Sequence, residues 1–211
     1  MSNKGELYLI AAPSGAGKTS LMKALLERCP NLALSVSDTT RPARAGEVDG
    51  EQYHFVDRAG FEAGIAAGDY LEHADVFGNY YGTRRDRVEA LWQSGRDVLL
   101  EIDVQGAAQV RAAYAGLCSI FILPPSMTEL ARRLRHRGSD APEVISRRLS
   151  EARREIEACS DFRWMVVNDC FDQALEELQS IVTAWPLRRA RQQPRVEKLL
   201  DEAAERSTIN G

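Results

Sequence analysis

Lysine is scarce in this chain, and the cysteines show no spacing of the kind that binds a metal ion. Only four of the 27 basic residues are lysine, and the other 23 are arginine. No C-x-x-C pair occurs among the cysteines, which argues against a structural zinc site and against a disulfide framework. We therefore expect free thiols in a reducing compartment and a cytoplasmic location.

Long apolar runs are also missing. No uninterrupted apolar stretch approaches the roughly 18 residues that a membrane-spanning helix needs, and residues 1–6 lack the apolar segment of a signal peptide. The formal net charge of −4 gives no bulk positive surface for nucleic acid or for an anionic membrane. The sequence thus predicts neither nucleic acid nor a membrane as a partner.

Apolar residues are nevertheless sufficient for a well-packed domain. The chain has 211 residues, of which 44% are hydrophobic and 27% charged, values typical of one globular domain with or without insertions. The excess of arginine suits phosphate binding, because a guanidinium fork matches phosphate oxygens. Genome composition produces the same bias, so the positions of the arginines carry more information than their number.

Apolar strands alternate with helical patterns at both ends of the chain. We predict strands at 6–12, 33–37, 97–102, 117–123 and 164–167, and helices at 19–29, 83–94, 107–114, 126–137, 143–158 and 171–185. This alternation predicts a mostly parallel sheet covered on both faces. Residues 38–96 break the alternation and are expected to form an inserted lobe. Within that lobe, the aromatic-rich stretch 53–83 favours short strands and turns over a long helix.

The strongest motif is a phosphate-binding loop at residues 12–19. Gly17, Lys18 and Thr19 match the end of the pattern G-x-x-x-x-G-K-[ST], whereas Ala12 stands at its first glycine position. A predicted strand precedes the loop and a predicted helix follows it, so that backbone N–H groups can surround a phosphate at a helix N-terminus. In such loops the lysine reaches the outer phosphates, and the hydroxyl ligates Mg²⁺. The motif predicts a nucleotide site of the type that GTPases, motor ATPases and small kinases share.

Two features downstream suit a second, anionic substrate that carries a purine. Arg41 and Arg44 stand three residues apart in a loop after a predicted strand, where paired guanidinium groups can hold an anion. The aromatic-rich stretch also contains Glu72, and a purine pocket needs aromatic faces for stacking and polar groups for the edge of the base. A single pair of arginines is equally typical of a solvated loop.

Taken together, the motifs resemble those of bacterial guanylate kinases. The runs that carry the resemblance are A-P-S-G-A-G-K-T from Ala12, S-V-S-x-T-T-R-x-x-R from Ser35, G-E-V-x-G-x-x-Y-x-F from Gly46, F-G-N-Y-Y-G-T from Phe77, I-D-x-Q-G from Ile102, I-F-I-L-P-P-S from Ile120, R-R-L-x-x-R-G from Arg132 and V-N-D from Val167. They keep one register over about residues 4–187, which chance agreement does not explain.

The resemblance implies an α/β fold with a P-loop NTPase-type parallel sheet flanked by helices. It also implies an inserted mixed α+β lobe, which binds the nucleoside monophosphate, and a helical lid. The implied division is a guanylate kinase-like domain at 4–187 and a helical tail at 188–211, the domain comprising a core of 4–36, 97–124 and 156–187, a GMP-binding lobe of 37–96 and a lid of 125–155.

The implied activity is Mg²⁺-dependent transfer of the γ-phosphoryl group of ATP to GMP, which gives ADP and GDP. The resemblance puts the adenine near Asn168 and Mg²⁺ on Thr19, with ATP phosphates and water as its other ligands. The expected ATP-binding loop consists of Ala12, Pro13, Ser14, Gly15, Ala16, Gly17, Lys18 and Thr19. The residues expected to act in catalysis are Lys18, Arg41, Arg133, Arg137 and Arg148.

GMP is expected on a set of polar residues in the lobe and at the end of one core strand. By the resemblance, its phosphate falls on Arg41, Arg44, Tyr53 and Tyr81. Its guanine edge falls on Ser37, Glu72 and Thr83, and Asp103 is a further GMP contact. One position departs from the family pattern, because Glu101 stands where the family often has aspartate.

The residues leave two other readings open. Guanylate-kinase-like domains of scaffold proteins keep the fold without catalysis, but they degenerate in the phosphate loop, and this chain retains Gly15, Gly17, Lys18 and Thr19. The second reading is a small kinase with another phosphate acceptor. The combination of Glu72 with the hydroxyl groups of Ser37 and Thr83 argues against it. The sequence leaves open whether the protein is a monomer or a homo-oligomer.

Overall fold

The chain forms two β-sheets, a larger one and a smaller one. A computed structural model describes residues 4–76, 78–136 and 142–209. The strands are β1 Leu7–Ala11, β2 Leu32–Ser35, β3 Asp38–Thr39, β4 His54–Phe55, β5 Tyr70–Val76, β6 Asn79–Arg84, β7 Asp97–Glu101, β8 Cys118–Leu123 and β9 Trp164–Val167. The helices are α1 Lys18–Arg28, α2 Arg58–Ala67, α3 Arg85–Gln93, α4 Val104–Ala113, α5 Met127–His136, α6 Pro142–Glu157, α7 Phe171–Ala184 and α8 Arg189–Ile209.

The larger sheet is parallel and has the strand order β2-β7-β1-β8-β9. Its central strand β1 is buried along its whole length, and hydrophobic clusters cover both faces of the sheet. Leu21 and Leu25 of α1 and Leu178 of α7 pack on one face, whereas Val88 of α3 and Val110 of α4 pack on the other. This is the covered α/β sheet that the alternation of strands and helices predicts.

The register of the parallel sheet determines which side chains meet at its carboxyl edge. Ile10 of β1 lies opposite Glu101 of β7. Because the phosphate-loop motif directly follows β1, the motif and Glu101 emerge side by side at this edge. Open α/β sheets bind their ligands there, beyond the carboxyl ends of the strands.

The smaller sheet is mixed, with the order β4-β3-β6-β5, and it lies within residues 38–96, where the sequence predicts an inserted lobe. Asp38 of β3 is buried and accepts a hydrogen bond from the Tyr70 hydroxyl at 2.9 Å. The same carboxylate is ion-paired with Arg87 of α3. These contacts compensate the buried charge and fix α3 against the mixed sheet.

The prediction of only strands and turns for 53–83 is wrong in part, because the ten-residue helix α2 lies in this stretch. Asp57 caps its N-terminus by accepting a hydrogen bond from the Gly60 N–H at 2.6 Å, and Gly68 ends it in the left-handed conformation. Phe61 is fully buried and stacks on Tyr70. The aromatic residues therefore pack around a short helix that its capping residues define.

The predicted C-terminal tail forms a long helix. Helix α8 runs from Arg189 to Ile209 and contains Pro194. At its start, Arg188 and Arg191 form ion pairs with the buried Glu6 at 2.9 and 2.8 Å, which joins the tail to the residue that precedes β1. In the part of the chain that the structure describes, no helix has the length and apolarity needed to cross a membrane.

Candidate active site

The phosphate-loop motif forms a tight turn between β1 and α1. Gly15 and Gly17 both have φ of +91°, a conformation that residues with a side chain rarely adopt. Gly17 is the N-cap of α1, and Lys18 is its first residue. The motif residues thus stand at the N-terminus of an eleven-residue helix, where free N–H groups and the helix dipole favour an anion.

The side chain of Asn168 packs against the phosphate loop and is hydrogen-bonded to it. Its side-chain Nδ2 donates a hydrogen bond to the Ala16 carbonyl at 2.7 Å, and its backbone N–H donates to the Leu123 carbonyl at 2.8 Å. The residue is only 6% exposed, and a Cβ at Gly17 would overlap its amide group. The structure therefore gives Asn168 a supporting role under the phosphate loop, and its predicted contact with adenine stays a prediction.

One carboxylate forms an ion pair with Lys18, and a second responds to its charge. Lys18 Nζ lies 3.5 Å from Glu101 Oε1. Glu155 of α6 accepts a hydrogen bond from the Ser14 backbone N–H and lies close enough to Lys18 to feel its charge. Burial raises the pKa of Glu155 to about 7, against the opposing effects of Lys18 and of the Ser14 hydrogen bond. No motif in the sequence indicates this relation between Glu155 and the phosphate loop.

The three residues predicted to bind the guanine edge lie together, Glu72 and Thr83 on strands of the mixed sheet and Ser37 directly before its strand β3. Thr83 Oγ1 donates a hydrogen bond to Glu72 Oε1 at 2.6 Å. Because that hydroxyl proton is used, the Ser37 hydroxyl, 3.4 Å from Thr83 Oγ1, is the donor in their contact. Glu72 is 4% exposed, and burial raises its pKa to about 7. Glu72 thus has a buried carboxyl group, one oxygen of which already accepts a hydrogen bond. The hydroxyl groups of Ser37 and Thr83 form a chain of hydrogen bonds that ends at this oxygen.

Helix α4 closes the other side of this carboxyl group. Asp103 caps the helix by accepting a hydrogen bond from the Gly106 N–H at 2.8 Å. Gly106 touches Glu72, and a Cβ at this position would overlap Glu72 Oε2. The negative charge of Asp103 adds to burial in raising the pKa of Glu72. The predicted GMP contacts Asp103 and Glu72 are therefore neighbours, and the glycine of the I-D-x-Q-G run is the spacer between them.

The residues predicted to bind the GMP phosphate surround Arg41. Its guanidinium group lies over the Tyr53 ring at 5.5 Å, and the Tyr53 and Tyr81 rings meet edge to face at 5.7 Å. Arg41 Nη2 donates to both oxygens of Glu47, at 2.8 and 2.9 Å, and the Arg44 N–H donates to the same carboxylate at 2.8 Å. The Glu47 carboxylate thus accepts hydrogen bonds from the side chain that is predicted to bind the GMP phosphate. We did not predict this role of Glu47.

The charge of Glu101 acts both on the residues around Arg41 and on the phosphate loop. Burial and, second, the negative charge of Glu101 raise the pKa of the Tyr53 hydroxyl. Glu101 is also the ion-pair partner of Lys18, so its charge acts on one residue of each predicted phosphate site.

The arginines predicted to act from the lid are only partly described. Arg133 of α5 donates to Glu129 Oε1 at 2.8 Å and to the Asn168 carbonyl at 3.0 Å, which brings it to the residue under the phosphate loop. Hydrogen bonds from Arg132 and Arg133 lower the pKa of Glu129 to about 2. Arg148 lies on α6, and Arg137 lies outside the described residues, as does Phe77 of the F-G-N-Y-Y-G-T run.

Comparison with known proteins identifies the family. The family model described as Guanylate kinase matches residues 4–185. A guanylate kinase of Alkalilimnicola ehrlichii is 56% identical over 190 residues, which cover 90% of this chain and 94% of the relative. A guanylate kinase of Vibrio parahaemolyticus is 51% identical over 200 residues, which cover 94% of this chain and 97% of the relative.

A solved structure agrees with these sequence matches. The crystal structure of guanylate kinase from Anaplasma phagocytophilum superimposes with a TM-score of 0.74 at 35% sequence identity, over 89% of each chain. The fold is thus shared with an experimental structure. On this match, the chain belongs to the guanylate kinase family.

Proposed function

We propose that the protein transfers the γ-phosphoryl group of ATP to GMP in a Mg²⁺-dependent reaction that yields ADP and GDP. The observation that carries the proposal is the buried Glu72 carboxyl group, hydrogen-bonded to Thr83 at 2.6 Å, in a chain that also has a complete phosphate-loop turn. Such a reaction contributes to purine nucleotide metabolism by returning GMP to the diphosphate pool. Its substrates are cytoplasmic nucleotides, which supports a cytoplasmic location.

Glu72 is proposed to select guanine among the bases. Guanine presents N1–H and the 2-amino group as neighbouring donors, and an ionised carboxylate has acceptor capacity for both. Adenine offers an unprotonated N1 and no 2-amino group, so AMP would leave the acceptor capacity of the buried carboxyl group that Thr83 does not use without a partner, a loss of about 1–3 kcal/mol or more. Ser37 and Thr83 hold Glu72 through their hydroxyl chain and complete the edge of the pocket.

Arg41 is proposed to bind the phosphate of GMP with Arg44, Tyr53 and Tyr81. One guanidinium nitrogen of Arg41, Nη2, donates to both oxygens of the Glu47 carboxylate, which supports a role for this side chain in binding an oxyanion. The Glu47 contacts also order the loop that carries Arg44. When the phosphate binds, it competes with Glu47 for Arg41 or extends the same set of charged hydrogen bonds.

The ATP phosphates are proposed to bind the phosphate loop, with Lys18 on the outer phosphates. Transfer of a phosphoryl group spreads negative charge over its equatorial oxygens, so that the protein acts mainly by positioning and by charge neutralisation. The residues proposed for this charge neutralisation are Lys18, Arg41, Arg133, Arg137 and Arg148. In this arrangement residues 37–96 bind GMP and residues 125–155 form a lid that excludes water when both substrates are bound.

The chain has oxygen donors that suit Mg²⁺ bound with ATP. Thr19 is exposed in the first turn of α1, and Glu101 and Asp103 stand at the nearby end of β7. Among the described residues no three His, Cys, Asp or Glu side chains cluster as a metal site. This donor set fits Mg²⁺, which usually takes one or two protein ligands together with water and substrate phosphates. The bound ion would neutralise charge on the transferring phosphates.

A coupled assay of ADP release tests the proposal. The protein is supplied with ATP and Mg²⁺ and with AMP, CMP, GMP or UMP, and a chelator serves as the control for the metal. We expect turnover with GMP to exceed turnover with the other three by at least about 100-fold. Equal rates with two or more acceptors would contradict selection of guanine. The absence of ADP release with all four would favour a non-catalytic binding module.

A further inference from the structure

A glutamine on helix α4 completes the hydrogen bonding of the strand that carries Glu72. Gln109 Nε2 donates to the His73 carbonyl at 2.8 Å, and Gln109 Oε1 accepts from the His73 N–H at 3.2 Å. The side-chain amide therefore pairs with both backbone groups of one residue, as a neighbouring strand would. Strand β5 is an edge strand of the mixed sheet, so this pairing gives it a second neighbour at one point.

The bonded N–H of His73 belongs to the peptide group that follows Glu72 directly. Gln109 consequently holds the backbone next to the carboxyl group, while Gly106, one turn earlier on the same helix, contacts the carboxyl group itself. Asp103 caps the helix one turn before that. The three residues are spaced by three, which puts them on one side of α4 and directs that side at Glu72 and its strand.

From this geometry we infer that Gln109 is a positioning residue for guanine recognition, acting on the substrate through Glu72. The inference rests on the proposed role of Glu72. Gln109 does not need to touch GMP: it fixes the peptide from which the Glu72 side chain departs relative to α4. A displacement of a few tenths of an ångström would matter, since hydrogen bonds weaken steeply with distance and angle.

A purely structural role makes a different prediction. Gln109 is exposed at the surface of α4, where a side chain can be lost at little cost to the core. If its hydrogen bonds only stabilise the lobe, its replacement lowers the melting temperature and leaves the kinetic preference for GMP unchanged. If it positions Glu72, the loss falls on GMP binding, and ATP binding is unaffected.

The test uses Gln109→Leu, which keeps the size and the helix propensity of the side chain but removes both hydrogen bonds. The matched control is Gln173→Leu on α7, where the glutamine is also exposed and bonds only to Glu177. We expect Gln109→Leu to raise KM for GMP by about fivefold or more while kcat and KM for ATP stay within about twofold. The preference for GMP over IMP, which lacks the 2-amino group, should shrink to a similar extent. Gln109→Met provides a second variant of the same kind if the first does not fold.

A double-variant cycle with Glu72→Gln separates the two hypotheses. If Gln109 acts through Glu72, adding Gln109→Leu to Glu72→Gln changes kcat/KM for GMP by less than about twofold. Full additivity, equal effects on ATP and GMP, or an unchanged KM for GMP in Gln109→Leu would overturn the inference while the role of Glu72 stands. An unchanged GMP efficiency in Glu72→Gln alone would instead overturn the proposed role of Glu72, and the inference with it.

Discussion

The side chain of Asn168 bonds to the carbonyl of Ala16 across 2.7 Å, and so joins the end of the last sheet strand to the phosphate loop. The bond is buried, and the same side chain leaves no room for a Cβ at Gly17. The shape of the loop is thus set from two directions, by its own glycines and by a residue 152 positions further along the chain.

Replacing Asn168 should therefore weaken ATP binding before it affects GMP. Asn168→Ala leaves the Ala16 carbonyl without its partner and opens space beneath the loop, so we expect KM for ATP to rise by about fivefold or more and the protein to lose about 1–3 kcal/mol of stability. Steady-state kinetics and urea unfolding measure the two effects. Asn31→Ala is the control, because the Asn31 amide makes only a long, exposed hydrogen bond to Gly95. A larger effect on GMP than on ATP would contradict this account.

The charge of Lys18 is expected to be essential for turnover. Lys18→Met keeps the length of the side chain but removes the positive charge from the outer phosphates, so kcat should fall by about 100-fold or more. Lys23→Met on the exposed side of α1 should leave kcat unchanged. Circular dichroism shows whether both variants are folded, and near-normal turnover of folded Lys18→Met would remove the role assigned to this residue.

The phosphate of GMP should contribute much of its affinity. Guanosine keeps the base that Glu72 reads but offers nothing to Arg41 and Arg44, and charged hydrogen bonds of this kind are worth about 1.5–3 kcal/mol each. We expect isothermal titration calorimetry to show at least about tenfold weaker binding of guanosine than of GMP. The difference in affinity between GMP and guanosine should be smaller in the Arg41→Met variant. Equal affinities of the wild type for the two ligands would refute the assignment of the phosphate site.

The buried carboxyl groups predict how stability changes with pH. Burial raises the pKa of Glu72 and of Glu155 to about 7 from an ordinary value of 4.5, so the folded protein holds protons that the unfolded chain has released. Their contribution to stability is complete below about pH 4.5 and is lost as the pH rises through 7. Urea unfolding of the ligand-free protein between pH 5 and 8 should therefore show a falling free energy of unfolding. The fall should be smaller in Glu72→Gln, and an identical pH profile in this variant would contradict the shift at Glu72.

The alternation of strands and helices predicted the parallel sheet because its central strands β1, β7 and β8 are largely buried apolar runs and helices lie between its strands along the chain. Helix α2 was missed because the aromatic residues around it obscured its apolar spacing. The signals that define it are Asp57 before its first turn and Gly68 after its last, and both were visible in the sequence. Local capping residues were thus more informative here than the composition of the segment.

The site residues fall into two classes of predictability. Lys18 and Arg41 lie in quoted motifs, and the role of Glu72, which lies between two of them, was implied by the family resemblance. Glu155 and Gln109 belong to no motif that we used, and their roles depend on long-range contacts, with the Ser14 N–H and the backbone of His73. Such contacts arise from the way the helices pack on the sheets, so a single sequence contains no local pattern that reveals them.

The pairing of Glu6 with Arg188 and Arg191 has a consequence for the order of events during synthesis. Strand β1 leaves the ribosome first, yet its parallel neighbours β7 and β8 start at residues 97 and 118. Glu6, with a side chain only 7% exposed, receives its two arginines last of all. A nascent chain can form the unit of β1, the phosphate loop and α1 early. It cannot bury Glu6 as a compensated charge until Arg188 and Arg191 have emerged from the ribosome. Glu6 therefore becomes a compensated buried charge only after residues 188–191 have been synthesised.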